Sequence, residues 1–256
     1  MTRTPESQAS AAVVAPDADT ADPRRWWILL VLCLSLMVIT LDNTILNVAL
    51  PKLSEGLGAT NSQLQWIVDS YTLVFAGLLL TAGSLGDRFG RKGALQVGLL
   101  IFAIGSGLSA LATSPGHLIA TRALMGVGGA FIMPSTLSLL TNIFPANERG
   151  RAIGVWAGVS GLGIAIGPLL GGFLVDHVSW HAVFTVNLPI AAVAIATGAW
   201  LIPTSRDPDA PHLDLLGALL SIAGLSALVY TLIEAPGHGW LSTHTLVGCA
   251  VSSVSL

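Results

Sequence analysis

The sequence predicts an all-α membrane protein: a six-span helical bundle followed by one complete and one incomplete further span. Composition is the first reason. Of the 256 residues, 53% are hydrophobic and 10% charged, and the mean hydropathy is +0.76. A water-soluble domain of this length needs far more charge on its surface, whereas lipid tails solvate apolar side chains directly. The second reason is a series of apolar runs, each near the roughly 20 residues a helix needs to cross a hydrocarbon core of about 30 Å. The third is the placing of the basic residues, which crowd into alternate connections.

Met1 to Pro23 is rich in Ala, Ser, Thr, Pro and Asp and lacks apolar periodicity, which predicts a disordered tail. The apolar run that follows starts too late and runs too long for a secretory signal. Spans are expected at Trp26–Leu50 (ended by Pro51), Leu64–Ala82, Ala94–Ala112, His117–Leu140, Ala152–Val175 and Ala182–Ile202, so that residues 24–202 form the six-span unit. Residues 203–256 carry a seventh span, Leu213–Ile233, and an eighth that begins near Thr243. At 1.5 Å per residue the eighth reaches only about 20 Å, and the chain is therefore expected to be a partial product that ends within a span.

The basic residues set the orientation. Arg3, Arg24 and Arg25 precede the first span; Arg88, Arg91 and Lys92 lie between the second and third; Arg149 and Arg151 lie between the fourth and fifth; Arg206 follows the sixth. The intervening connections carry only Lys52. By the positive-inside rule the N-terminus is cytoplasmic, in a multi-pass protein of the cytoplasmic membrane. Cys33 and Cys249 sit in separate apolar runs and suggest neither a disulfide framework nor a metal site.

Against this apolar background a few residues stand out. Gly83-Ser-Leu-Gly-Asp-Arg-Phe-Gly-Arg-Lys92 crowds charge into a short connection. Its glycines, Gly86 and Gly90, permit a tight reversal between antiparallel spans. Arg88, Arg91 and Lys92 are explained by orientation alone, but Asp87 is not; among three cations it suggests an ion-pair cluster that can be made and broken. Asp42 lies within the first span, followed by Asn43 and Asn47 one turn apart. A carboxylate in a low-dielectric interior holds a proton more readily than one in water, which is the chemistry a proton-coupled carrier needs. It could equally be a structural acid bonded to a neighbouring helix. Asp69 is a second candidate acid, nearer the external end, where an interfacial role serves as well.

Arg122 stands a few residues into the fourth span, where a cation costs about 2.5–3.5 kcal/mol on insertion scales. It either snorkels to the outer interface or faces a partner or water-filled site. In the fifth span Gly154 and Gly158, then Gly163, Gly167 and Gly171, recur at helical spacing and offer a small-residue seam to another helix; Pro168 can bend it. His177 and His181 have ligand-like spacing beside Asp176 but fall in a short external connection and are not read as a metal site. No dinucleotide fingerprint, P-loop or nucleophile elbow appears, so neither an enzyme nor a cofactor is expected.

The Gly83–Lys92 pattern resembles the signature of the major facilitator superfamily, G-x-L-a-D-r-x-G-r-k after the second span. Leu41-Asp-Asn-Thr-Ile-Leu-Asn-Val-Ala-Leu-Pro51 resembles the first-span motif of its fourteen-span drug:proton antiporters. Arg122-Ala-Leu-Met-Gly126, running on to Gly128, Gly129 and Ala130, is similar to the fourth-span motif R-x-x-x-G-x-g. Gly163-Ile-Ala-Ile-Gly-Pro-Leu-Leu-Gly-Gly172 is similar to the fifth-span antiporter motif. Ser179-Trp180 and Asn187-Leu-Pro189 also resemble this subfamily, with His181 where an arginine is usual. The resemblance implies an N-terminal half-bundle, with the seventh and eighth spans as the helices that separate the halves. It implies proton-coupled efflux of drug-like or amphipathic small molecules by alternating access, with protons, substrate, lipid and a C-terminal half-bundle as partners and no nucleic acid. Asp42, Arg122 and Asp69 become candidates for coupling or substrate binding. Gly83, Asp87, Arg88, Gly90, Arg91 and Lys92 become a cytoplasmic gate that engages the other half. Gly163, Gly167, Pro168, Gly171 and Gly172 become an antiporter seam facing that half. Two other readings stay open: a non-transporting fragment of such an exporter, and a carrier for a small metabolite.

Overall fold

The computed structural model describes residues 22–206, 215–239 and 242–255. They form α1 (Arg25–Leu57), α2 (Asn61–Phe89), α3 (Arg91–Ala110), α4 (Pro115–Ile143), α5 (Ala146–His177), α6 (Ala182–Thr185), α7 (Asn187–Leu201), α8 (Leu215–His238) and α9 (Thr243–Ser255). Among the described residues, six stretches are long and apolar enough to cross a membrane: α1 to α5 singly, and α6 with α7 together as Ala182–Leu201. The protein is a multi-pass, all-α membrane protein. The expected tail up to residue 21, the segment 207–214 and Leu256 lie outside the described residues.

Local chemistry sets the helix ends. Thr60 caps α2 with a reciprocal box: its hydroxyl accepts from the Gln63 amide (3.3 Å) while Gln63 Oε1 accepts from the Thr60 amide (3.0 Å). Ser114 accepts from the His117 amide (3.3 Å) ahead of α4, with Pro115 in the first turn, where its missing N–H costs nothing. α1 does not stop at Pro51 as expected. Pro51 is exposed and forfeits one backbone bond, while Leu53 beyond it is fully buried and holds the last turn, which ends at Gly58 with φ +62°.

A larger correction falls on Gly83–Lys92, expected as a loop. α2 continues as helix to Phe89 and α3 restarts at Arg91, so the reversal is made at Gly90 alone. Gly90 has φ +129° and ψ +117°, a conformation that side chains other than glycine's rarely adopt. Gly86 is helical; a Cβ there would lie 3.1 Å from the Ala94 Cβ, so it serves the close approach of α2 and α3. Gly90→Ala is expected to cost about 1–3 kcal/mol of stability, read as a lowered melting temperature in detergent.

In the bundle α4 lies between α2 and α3, and α1 packs on α5 and α7. Without a hydrophobic drive between helices in lipid, close packing supplies much of the attraction, and α4 supplies it through glycines. A Cβ at Gly126 would lie 2.6 Å from the Tyr71 carbonyl oxygen of α2, and one at Gly128 would lie 2.6 Å from the Phe102 nitrogen of α3. α8 rests on α2, with Trp66 and Tyr230 ring centroids 6.1 Å apart, and on α9. The starts of α1 and α5 are tied by Arg25 Nε to Glu148 (2.7 Å), and the Arg91 amide donates to the Ser205 carbonyl (3.0 Å).

Candidate functional site

Charge inside a span has to find a partner, and the packing of α4 decides which. Because Gly126 draws α2 against α4, the Tyr71 ring lies over the Arg122 guanidinium, 4.5 Å from it to the ring centroid. Arg122 is fully buried. Its Nη1 is ion-paired with Asp42 Oδ2 of α1, and its Nε donates to the Ile67 carbonyl (3.3 Å). Asp42, 2% exposed, is held from the other side by Asn187 Nδ2, which donates to its Oδ1 at 3.0 Å. The same amide reaches Ser106 Oγ (3.1 Å), which donates to the Phe184 carbonyl (2.8 Å). First, third, fourth and sixth spans therefore meet at one carboxylate.

This decides between the alternatives for Arg122. It neither snorkels outward nor lines an open cavity; it is shut inside the bundle with Asp42. A cavity of about 410 Å³ opens on the far side of Tyr71, lined by Thr40, Asn43, Tyr71, Phe75, Met133 and Trp156 among others, and neither Asp42 nor Arg122 lies in its wall. Asp69 is not brought into the cluster: it is half-buried and has no ion-pair partner among the described residues. Asn43 and Asn47 spend their amides on α1 itself, donating to the carbonyls of Ile39 (3.0 Å) and Asn43 (2.9 Å).

The gate residues are arranged within this half. Asp87 accepts from Arg91 Nε (2.6 Å) and from Ser138 Oγ of α4 (2.8 Å). The three-cation cluster expected around it does not form: Arg88 lies over the Phe89 ring, and Lys92 Nζ donates to the Ala199 carbonyl (2.7 Å). Asp87 also reaches the wall of a cavity of about 440 Å³ with Leu80, Gly83, Pro134 and Trp156. Met133 and Trp156 border both cavities, and the indole is fixed by donation to Thr136 Oγ1 (3.3 Å).

The glycines of α5 divide between a face packed on α1 and an open one. Gly163, Gly167 and Gly171 are buried against α1, where added Cβ atoms would collide with Thr40 and Thr44 and lie 3.2 Å from the Ile45 Cα. Gly154, Gly158 and Gly172 meet nothing within 4 Å, and Pro168 is exposed. The two histidines turn to different neighbours, His177 stacking on Phe173 and His181 on Trp180.

Sequence reasoning marked Asp42 and Arg122 separately but missed their pairing and the part played by Asn187. Opposite charges in otherwise neutral spans were a usable signal for the first. Nothing in spacing signalled the second.

The Major Facilitator Superfamily is matched over residues 32–255. The puromycin resistance protein pur8 of Streptomyces alboniger is 42% identical over 246 residues, covering 94% of this chain and 48% of that protein. The multidrug efflux pump LfrA of Mycolicibacterium smegmatis is 41% identical over 248 residues, 96% of this chain and 49% of that protein. The tetracenomycin C resistance and export protein of Streptomyces glaucescens is 39% identical over 224 residues, 87% and 42% respectively. The chain spans about half the length of the curated relatives it matches.

Proposed function

Because the chain belongs to the major facilitator superfamily, and so among membrane transporters and not enzymes, we propose that it is the N-terminal portion of a proton-coupled exporter of drug-like or amphipathic molecules. Residues 24–202 are its six-span half-bundle, residues 203–256 the region between halves, and the N-terminus is cytoplasmic. The names of the relatives, which speak of resistance, efflux and export, support the substrate class. The observation that carries the proton reading is the Asp42–Arg122 pair. It is the one fully buried ion pair among the described residues, set inside apolar spans where charge is costly and rarely kept without use.

In this reading a proton that reaches Asp42 neutralises the carboxylate, loosens its hold on Arg122, and so loosens α1 from α4. Alternating access needs a second half-bundle to rock against. The chain matches about half of its relatives, and α5 leaves Leu162, Leu169 and Phe173 exposed beside its open glycines. Both favour the reading that these 256 residues by themselves do not transport.

The test is efflux of ethidium, as a fluorescent probe, from pump-deficient cells and then from vesicles with an imposed pH gradient. The complete coding sequence is expected to drive efflux, the 256-residue chain none. Asp42→Asn in the complete protein is expected to abolish gradient-driven efflux while protein remains in the membrane. Wild-type efflux in that variant would overturn the coupling role.

A further inference from the structure

Asn187 opens α7 with its side chain fully buried, and its amide nitrogen is committed to Asp42 and Ser106. Its Oδ1, an acceptor, is buried with no donor. Across the same carboxylate, Arg122 Nη2, a donor, is buried with no acceptor. Buried polar atoms are almost always satisfied, so a complementary donor and acceptor left over on either side of one group point to a second arrangement in which they meet. Around Asp42, α4 presents Arg122, α7 presents Asn187 and α3 the neutral Ser106 behind it, while α2 presents Tyr71, whose ring lies over the guanidinium and whose hydroxyl is also buried without a partner. Of the two unpaired acceptors, the Asn187 oxygen is the one on a side chain already bonded to Asp42.

We propose that Asn187 is the second partner of Arg122: a positioning residue that holds Asp42 while it is ionised and accepts Arg122 once Asp42 has taken a proton. The inference rests on the proton-coupling reading above. The step balances simply. One proton, delivered as hydronium from the aqueous phase, adds to Asp42 Oδ2 and leaves water behind, making a neutral acid; no bond within the protein breaks. Arg122 stays charged, and its hydrogen bond passes from Asp42 Oδ2 to Asn187 Oδ1. The guanidinium is thereby transferred from the first span to the sixth, at the point where α6 gives way to α7. Protonation of one atom then changes which spans are tied together, which is what a rocking mechanism requires.

The test uses the complete protein reconstituted in liposomes, with ethidium as the probe and four proteins compared: wild type, Asn187→Asp, Asp42→Asn and the double variant. Asn187→Asp keeps the shape of the side chain but places an acceptor where Asp42 needs a donor. It is expected to lower gradient-driven turnover by about tenfold or more, the effect of losing a charge-assisted bond, while equilibrium ethidium binding stays within about twofold. Because Asp42→Asn leaves no gradient-driven turnover to lose, the coupling of the two residues is read from melting temperatures, where the double variant is expected to shift by less than the sum of the single shifts. Wild-type turnover in Asn187→Asp, or melting shifts that simply add in the double variant, would overturn the proposal. If Asp42→Asn alone transports normally, the coupling reading falls by itself, and the proton exchange assigned to Asn187 falls with it. Melting temperatures of the same four proteins then show whether the Asn187–Asp42 contact survives as a structural clamp: non-additive shifts keep the contact, additive shifts remove it as well.

Discussion

Arg122→Leu is expected to destabilise the bundle by about 3–5 kcal/mol, because it leaves a buried carboxylate without its counter-ion. In that variant Asp42 keeps the Asn187 donor but stays buried, at 2% exposure, with its charge uncompensated. The double replacement, Asp42→Leu with Arg122→Leu, is expected to recover most of the loss. Removing both charges also removes the cost of keeping them out of water, and well-packed apolar replacements of buried ion pairs are often neutral or better. The measurement is unfolding of the purified complete protein in detergent, with the variants compared under one condition. The contrast between single and double is the informative part. Equal losses in both would mean that packing around α4, and not charge, holds the site together. A double variant that is stable yet cannot use a pH gradient would separate the cost of the pair from its use.

Much of the fold was legible because the bilayer imposes a length. Each run of apolar residues from Trp26 to Ile202 contains one membrane-crossing stretch, the sixth divided between α6 and α7, and α1 to α5 all extend beyond the runs that announced them, except where α3 ends at Ala110. The extensions were hidden by polar and glycine residues. Gly83–Lys92 looked like a loop because charge and glycine usually mark one, yet Asp87 and Arg91 are spaced one turn apart and bridge Gly90 without unwinding α2. Pro51 looked like a stop because proline breaks most helices, but its one lost bond falls on the exposed side. The site was half legible. Asp42 and Arg122 were conspicuous as charges in spans, but a contact across eighty residues depends on which helices pack, and the sequence does not state that for spans that are apolar all round. Asn187 was visible only as part of a short pattern. Its meaning came from being buried against the carboxylate, which no spacing rule could supply.

The same limit governs the glycine seam, where the face was readable and its partner was not. Gly167→Val is expected to be among the most damaging apolar substitutions in the chain, costing about 1–3 kcal/mol or more by overpacking. A Cβ at Gly167 would lie 2.6 Å from the Thr44 Cβ, and its contact with Thr44 Oγ1 is closer still. Thr44 cannot turn aside cheaply, because its hydroxyl is bonded back to the Thr40 carbonyl (2.9 Å). α5 must therefore move off α1, the helix that carries Asp42. Gly158→Val, about two and a half turns earlier and so on the opposite face of the helix, meets open space and is expected to leave the stability of the bundle unchanged. Thermal unfolding of the two variants in the complete protein should separate them clearly. Transport then divides the seam a second time. If a second half-bundle packs against the open glycines, Gly158→Val loses efflux while keeping its melting temperature, whereas Gly167→Val loses both. Equal stability of Gly167→Val and wild type would mean that α1 and α5 do not meet through these glycines.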